Sequence, residues 1–433
     1  MALSPPDALD REAVQRRTVR VLALAQAVGA VGVTIGITTA SLLARDLSGS
    51  DAQAGLAQTA QVAGAAIAAF ALAAVMGARG RRVGLTGGYV VGAGGALLAV
   101  VAGAVGSMPL LLLGALLLGA TTAANSSSRY AATDLSAPES TGRDLSTVVW
   151  ATTIGAVAGP NLSGPAGSLA DAVGLPELTG PFLLGSVGML LAAVLLAVLL
   201  QPDPLLLARR LAEASEHDVA GVGGPPRSGY REAVRVMARR PVLAWAALGM
   251  AAAHASMVAV MVMTPLHMKH GHTDLRLIGL VISLHVLGMY AFAPIVGRLV
   301  DTLGEAPVLL AGAVQLAVAM LVSARAPMGG SWQIVVGLLL LGTGWSFATV
   351  ACSTLVTRHA PLEVRTTVQG STDLLMGLSA AAAGGMAGVV VDLADFDGLA
   401  HLALVPVACV ALAGVLAARS ARADVAAPGR VSP

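Results

Sequence analysis

Long apolar runs separated by short polar links recur along the whole sequence. An α-helix needs about 20 apolar residues to cross ~30 Å of hydrocarbon, and each run reaches that length. The composition agrees, because 12% of residues are charged, whereas soluble domains carry about 25%. The sequence therefore predicts an all-α membrane protein with twelve transmembrane helices. The predicted spans are 19–44, 52–77, 84–106, 108–128, 145–170, 180–200, 242–266, 276–299, 307–325, 333–356, 367–391 and 399–418.

The twelve predicted spans form two groups of six. We predict an N-terminal six-helix bundle over 19–200 and a C-terminal six-helix bundle over 242–418. The segment 201–241 between them is rich in Arg, Pro and Gly and has no run long enough to span, so it is predicted to be a cytoplasmic linker with a surface helix from Arg231 to Arg240. The ends of the chain are predicted to be a cytoplasmic N-terminal segment, 1–18, and a cytoplasmic tail, 419–433.

Basic residues predict the orientation, because lysine and arginine are held on the cytoplasmic side during insertion. Placing both termini in the cytoplasm leaves few of the 26 basic residues outside. The single lysine and the abundant glycine and alanine are typical of a GC-rich bacterial genome, so we expect a bacterial inner-membrane protein. A net charge of +2 gives no reason to expect a nucleic-acid partner. The basic residues left outside are Arg45, Lys269, Arg276 and Arg325.

A glycine-marked turn recurs at the same point of both halves. Gly80-Arg81-Arg82 follows the second span, and a related turn that ends at Gly304 follows the eighth, about 224 residues later. Duplicated six-helix halves are typical of alternating-access transporters, whose binding site lies near the membrane midplane between the halves. The repeat therefore predicts a transporter and no enzymatic activity.

These features resemble the major facilitator superfamily over essentially the whole chain. The family motif G-x-x-x-D-x-x-G is intact in the second half, whereas Gly77 replaces its aspartate in the first half. The resemblance implies the major facilitator fold and a gating motif that closes the cytoplasmic side in the outward-open state. We expect the gating contact made by the first-half motif to be weaker or differently built. The predicted gating residues are Gly297, Asp301, Gly304, Gly80, Arg81 and Arg82.

The fifth span contains Gly155-x-x-x-Gly159-Pro160. This pattern resembles the motif of the superfamily's proton-coupled exporters, which implies export of drugs or metabolites. Small residues also let transmembrane helices pack closely, and we favour helix packing as the explanation of this pattern. Asp373 is the acidic residue that lies more than a few positions inside a predicted span.

Methionine and histidine concentrate in the seventh and eighth spans. Met250, His254, Met257 and Met261 follow one another at steps of 4, 3 and 4, which keeps them on one face of a helix. The eighth span adds His285 and Met289, four residues apart. Methionine is also an ordinary apolar filler, so each residue alone carries little information. Together, however, these donors predict a ladder that descends from the periplasmic side.

Thioether and imidazole ligands without a carboxylate favour a soft ion, and Cu(I) before zinc or iron. The M-x-x-x-M and H-x-x-x-M motifs, and the 28 residues from Met257 to His285, resemble the CcoA-like copper importers of the superfamily. The resemblance implies that Met257, Met261, His285 and Met289 bind the transported ion, and our reading of the helix face adds His254.

The sequence therefore predicts copper import. The alternatives are proton-coupled export of drugs or metabolites, and a membrane sensor or assembly factor that binds copper without transporting it. Copper is expected as the transported substrate, with no permanently bound cofactor. We expect a monomer in the lipid bilayer, and the sequence does not identify copper donor or acceptor proteins.

Overall fold

A computed structural model describes residues 11–217 and 230–426, although a few side chains within these ranges, including that of Pro160, lie outside the description. The described chain is helical apart from short links. Its α-helices are α1 (Arg11–Ser48), α2 (Asp51–Arg79), α3 (Arg81–Val105), α4 (Met108–Ala131), α5 (Thr141–Ala172), α6 (Gly180–Leu199), α7 (Pro204–His217), α8 (Tyr230–Arg239), α9 (Pro241–His270), α10 (Leu275–Tyr290), α11 (Ala293–Leu303), α12 (Glu305–Ala324), α13 (Trp332–His359), α14 (Arg365–Leu402) and α15 (Leu404–Ala426).

Ten helical segments of the described chain are long and apolar enough to cross a membrane. One of them, Arg365–Ser420, has 56 residues, or about 84 Å of helix, and the non-helical Ala394 and Asp395 divide it into two crossings. The 32-residue α5 is not among the ten, but it has the length of a crossing and packs against α1, α6 and α11. The described helices thus make twelve crossings, which confirms the predicted all-α architecture.

The structure adds two features that the apolar pattern did not predict. The eighth crossing is broken between α10 and α11, where Pro294 lies in the first turn of α11. Proline cannot donate a backbone hydrogen bond and disturbs the preceding turn, which explains the break. The linker also contains α7 in addition to α8. Asp203 begins α7 by accepting hydrogen bonds from the backbone N–H groups of Leu205 and Leu206 at 3.1 and 3.2 Å.

Each half has its own apolar core. One core runs from Val19 to Leu200, and the other is built mainly from α9 to α15. Small residues let the helices approach closely, as between α2 and α4, where a Cβ added to Gly64 would lie 1.8 Å from the Leu116 carbonyl oxygen. Close packing of this kind stabilises helix pairs in lipid, where no hydrophobic force acts between them.

The end of the bundle that carries α7 and the starts of α5, α9 and α14 is called the linker end here. Polar contacts between the two halves gather near this end in the described chain. Thr133, just after α4, donates to Thr357 of α13 at 3.5 Å, and Arg358 of α13 donates to the Pro138 carbonyl oxygen at 2.5 Å. The two halves are therefore closed against each other at the linker end.

Candidate functional site

A buried ion pair joins the two halves near the linker end. Arg129, at the end of α4, donates from Nη2 to Asp373 Oδ1 of α14 at 2.5 Å and from Nε to Ser353 Oγ of α13 at 3.1 Å. The two charged side chains are 7% and 4% exposed. Charges removed from water are tolerated only when they are paired and hydrogen-bonded. This pair therefore holds α4 against α13 and α14.

Three ring side chains lie next to one another in the second half. Trp345 of α13 donates from Nε1 to His254 Nδ1 of α9 at 2.7 Å. Tyr290 of α10 meets the Trp345 ring edge-on, with the ring centroids 5.8 Å apart. Because His254 Nδ1 accepts the indole proton, its own ring proton lies on Nε2. We call His254, Tyr290 and Trp345 the aromatic group.

The aromatic group lies deeper in the bundle than the ion pair, as seen from the linker end. His254 follows the start of α9 by 13 residues, about 20 Å along the helix, whereas Asp373 follows the start of α14 by 8 residues, about 12 Å. Met250 connects the two levels, with its sulfur 3.8 Å from Arg129 Nη2. The aromatic group therefore lies near the middle of the bundle, and the ion pair lies closer to the linker end.

The predicted copper ligands of α9 lie at different depths of burial. Met257 is 3% exposed and belongs to the core of the second half, while Met261 is half-buried and packs against that core. His254 is part of the aromatic group, where its Nδ1 is already engaged by Trp345. The predicted ligands of α9 thus face both the core of the second half and the aromatic group.

The predicted ligands of α10 are buried. His285 is fully buried, and its Nδ1 lies 2.8 Å from the Leu338 carbonyl oxygen of α13. A carbonyl oxygen only accepts, so Nδ1 carries the proton and Nε2 keeps a free lone pair. Nε2 is buried and has no hydrogen-bond partner in the described chain. Met289 is 8% exposed.

The two helices that carry the predicted ligands contact each other over a short stretch only, in the part of the chain that the structure describes. Helix α13, by contrast, packs extensively on both α9 and α10. No three histidine, cysteine or acidic side chains of the described chain meet to form a metal site. A copper site here would depend on thioethers, and it stays a prediction.

The aspartate of the second-half gating motif contacts the first half of the chain. Asp301 of α11 accepts hydrogen bonds from the backbone N–H groups of Gly142 and Arg143, both at 2.8 Å. These groups open α5, where the helix dipole favours a carboxylate. Arg358 donates to the same carboxylate at 3.1 Å. Asp301 therefore links α11 to the first half of the chain.

The first-half turn is built differently because Gly77 carries no carboxylate. Arg209 of α7 donates to the Gly77 carbonyl oxygen at 2.7 Å, and the Asp203 carboxylate accepts from the Arg82 N–H at 2.7 Å. Arg81 forms a buried pair with Asp134 at 2.8 Å. The linker helix α7 thus contacts the turn at the place where the motif lacks its aspartate.

The two turns nevertheless share one backbone geometry. Gly80 and Gly304 adopt φ values of +92° and +88° with ψ near 167° and 166°. Positive φ of this kind is costly for any residue with a side chain, so glycine is required at both positions. Gly297 packs tightly here, because an added Cβ would lie 2.1 Å from Ser146 Oγ.

Gly155 lies at a close contact between α5 and α1. A Cβ added there would lie 2.4 Å from the Ala30 Cβ, and Thr34 Oγ1 donates to the Gly155 carbonyl oxygen at 2.8 Å. Gly159 is buried and accepts a hydrogen bond from Ser163. The predicted Pro160 has a side chain outside the described residues. Gly155 thus permits close helix packing.

Sequence reasoning missed several residues of this region. Arg129 and Arg358 stand at the predicted ends of spans, where basic residues are expected anyway, so neither was singled out as a buried group. The offset of 224 positions that relates the repeated turns also relates Arg129 to Ser353 and Thr133 to Thr357, which are hydrogen-bonded. Adding 224 to the position of each polar residue at the end of a first-half span identifies these hydrogen-bonded pairs from the sequence.

Comparisons with known proteins agree with this architecture. The family model described as "Major Facilitator Superfamily" matches residues 22–384 and 246–430. The sequence is 35% identical over 377 residues to the uncharacterized MFS-type transporter YddS of Bacillus subtilis, covering 87% of this chain and 85% of that protein. It is 27% identical to the riboflavin transporter RfnT of Brucella anthropi, over 91% of this chain and 94% of that one.

A solved structure shares the fold. The proton:xylose symporter XylE, bound to 6-bromo-6-deoxy-D-glucose, superposes with a TM-score of 0.71 at 14% sequence identity. The match covers 94% of this chain and 96% of that one. At this identity the likeness concerns the arrangement of the helices, and it says nothing about the substrate.

Proposed function

This chain belongs to the Major Facilitator Superfamily and is a secondary transporter, and from that premise we propose that its substrate is a small planar organic solute. We further propose that it works in a bacterial cytoplasmic membrane with both termini inside, as a monomer. The basic residues support this orientation, because the linker end then carries the cytoplasmic arginines. In this orientation the contacts between the halves close the cytoplasmic side.

The aromatic group is the observation that carries the proposal. Aromatic residues make up only 3% of the sequence, yet Tyr290 and Trp345 meet beside His254 near the middle of the bundle. Rings offer flat apolar faces with a few polar edges, which is how planar ligands are bound and oriented. The riboflavin transporter among the relatives supports the same class of solute.

The ion pair beneath the rings supports proton coupling. Asp373 is a buried carboxylate held by Arg129 of the other half. Protonation of Asp373 removes the charge that binds Arg129, so the contact between the halves weakens when a proton arrives. The resemblance of Gly155, Gly159 and Pro160 to proton-coupled exporters supports export as the direction.

A binding experiment tests the assignment of the rings. Riboflavin is titrated into the purified protein by isothermal titration calorimetry, and we expect saturable binding that Trp345→Ala weakens about tenfold or more, since a well-packed aromatic side chain contributes ~1–3 kcal/mol. Trp332→Ala is the matched control, because Trp332 lies on the same helix and is 67% exposed. Equal affinity in both variants would contradict the assignment.

Copper import is a second candidate, and His285 favours it. Histidine ligands of metals commonly donate their other ring N–H to a backbone carbonyl, which fixes the tautomer. His285 has this arrangement, with Nδ1 on the Leu338 carbonyl and Nε2 buried without a partner. Met257, Met261 and Met289 are the thioethers proposed to complete the site, with His254 at its lower end.

Metal analysis separates the two candidates. Copper import predicts one Cu(I) per purified protein under reducing conditions, lost in the Met257→Ala, His285→Ala double variant. Met386→Ala serves as the control for loss of a thioether, because Met386 is 62% exposed on α14. Copper content that is equal in the wild type and the double variant would exclude this site.

A further inference from the structure

A cavity of about 540 Å³ lies at the linker end between the two halves. Helix α7 borders it, and α1 and α5 of the first half face α13 and α14 of the second across it. Its volume falls within the range of ~300–1,000 Å³ that is typical of small-molecule sites. The polar side chains that line it include Arg11, Thr133, Ser136, Thr141, Arg358 and Arg365.

Two of the lining arginines lack a carboxylate partner in the described chain. Arg11 donates to the backbone carbonyl oxygens of Leu135 and Ser136, at 3.1 and 3.4 Å. Arg365 donates from Nε to the Ala360 carbonyl oxygen at 3.3 Å. A guanidinium has five N–H donors in a planar fork that suits phosphate and carboxylate. Both side chains therefore keep donors available to an anion.

Helix ends add to the positive potential of the cavity. Thr141 and Arg365 are the first residues of α5 and α14, and both line the cavity. The start of α5 is neutralised by Asp301, whereas the N-cap of α14, Val364, offers no side-chain hydrogen bond. The first N–H groups of α14 thus lie beside Arg365, which forms no ion pair within the described residues, an arrangement that favours an anion.

Three acidic groups near the cavity are engaged in ion pairs, whereas Glu363, close to Arg365, is exposed and is not among the lining residues. Asp134 lines the cavity but is paired with Arg81 at 2.8 Å. Glu305 and Asp301 both bind Arg358, at 2.6 and 3.1 Å. Arg358 also has a buried Nε without a hydrogen-bond partner. Arg358 offsets one of its two carboxylates, so the positive charges of Arg11 and Arg365 exceed the remaining negative charge by one.

We propose that this cavity binds a small phosphate-bearing anion that bridges the two halves. Arg11 belongs to the first half, and Arg358 and Arg365 belong to the second. An anion held by all three stabilises the state in which the linker end is closed. The proposal does not depend on which solute the protein transports.

Thermal unfolding in nanodiscs tests the proposal. We expect inorganic pyrophosphate to raise the Tm of the wild type in phosphatidylcholine nanodiscs, with a half-maximal concentration that Arg365→Gln or Arg11→Gln increases roughly tenfold or more, as loss of a charge-assisted hydrogen bond does. Arg79→Gln is the matched control, because Arg79 is an exposed arginine at the same end of the bundle. It should respond like the wild type.

A second arm distinguishes a soluble anion from a lipid headgroup. Nanodiscs that contain phosphatidylglycerol replace pyrophosphate in this arm. If only these nanodiscs raise the Tm, and Arg365→Gln abolishes the rise, the phosphate belongs to a lipid and the site stands. If Arg365→Gln, Arg79→Gln and the wild type shift equally in every condition, the cavity binds no phosphate and the proposal is wrong.

Discussion

Arg81 and Glu305 occupy equivalent positions of the two halves with opposite charges, each directly after the positive-φ glycine of its turn. The charges of their partners are reversed as well. Arg81 binds Asp134 at 2.8 Å, and Glu305 binds Arg358 at 2.6 Å, with both members of each pair shifted by the same 224 positions. Both halves thus have an ion pair at this position, with the positive and negative residues exchanged.

The exchanged charges predict the result of a charge swap. Asp134→Arg alone places two buried cations together, and we expect it to cost about 3–5 kcal/mol and to reduce the amount of folded protein. Arg81→Glu with Asp134→Arg rebuilds the pair in the orientation of the second half, so it should recover much of that loss. The measurement is the Tm of the purified variants. A double variant no more stable than Asp134→Arg would contradict the prediction.

Asp301→Asn removes the carboxylate that caps α5 and binds Arg358. A charged cap contributes about 1–2 kcal/mol, so we expect the linker end to open several-fold more often and transport to fall. Labelling of a cysteine introduced at Thr357 with a membrane-impermeant maleimide reports the opening. Asp171→Asn, an exposed aspartate in the last turn of α5, is the control and should leave labelling unchanged.

Gly155→Ala tests the packing of α5 on α1. The added methyl group would lie 2.4 Å from the Ala30 Cβ, so the helices must separate, and we expect a loss of about 1–3 kcal/mol. Gly164→Ala, on the same helix with open space around it, should be neutral or slightly stabilising. Equal Tm values for the two variants would show that the contact is dispensable.

Proton coupling predicts a specific loss in Asp373→Asn. Exchange of solute for protons makes an acidic lumen drive accumulation in proteoliposomes, and we expect that accumulation to disappear while solute counterflow remains. The Arg129→Gln, Asp373→Asn double variant guards against misfolding, because it leaves no unpaired buried charge. Accumulation driven by external acid would indicate symport instead. Unchanged accumulation in both variants would exclude Asp373 as the coupling group.

The sequence predicted the fold well because its signals are local. Apolar runs and the repeated glycine turn identify helices and halves without any knowledge of contacts, whereas the break at Pro294 and the helix α7 depend on single residues within an apolar or polar background. The predicted ladder on α9 and α10 assumed that helices joined by a short loop face each other. In the structure α13 packs on both helices, and its Leu338 carbonyl oxygen lies beside His285 Nδ1, while the ladder itself stays a prediction.

The inner site was harder to predict for a physical reason. Arg129 and Asp373 are 244 positions apart and become partners only when the two halves close. Trp345 and His254 come from different helices, 91 positions apart. Periodicity along one helix predicts which residues share a face, but it does not predict which other helix packs against that face.

Uptake of two labelled substrates by the same proteoliposomes tests the central claim most directly. Riboflavin and Cu(I) are supplied to the wild type, to Trp345→Ala and Trp332→Ala, and to the Met257→Ala, His285→Ala double variant. We predict riboflavin accumulation in the wild type, Trp332→Ala and the double variant, and a loss of about tenfold or more in Trp345→Ala. Copper accumulation that the double variant abolishes, with no riboflavin accumulation in any sample, would contradict the account.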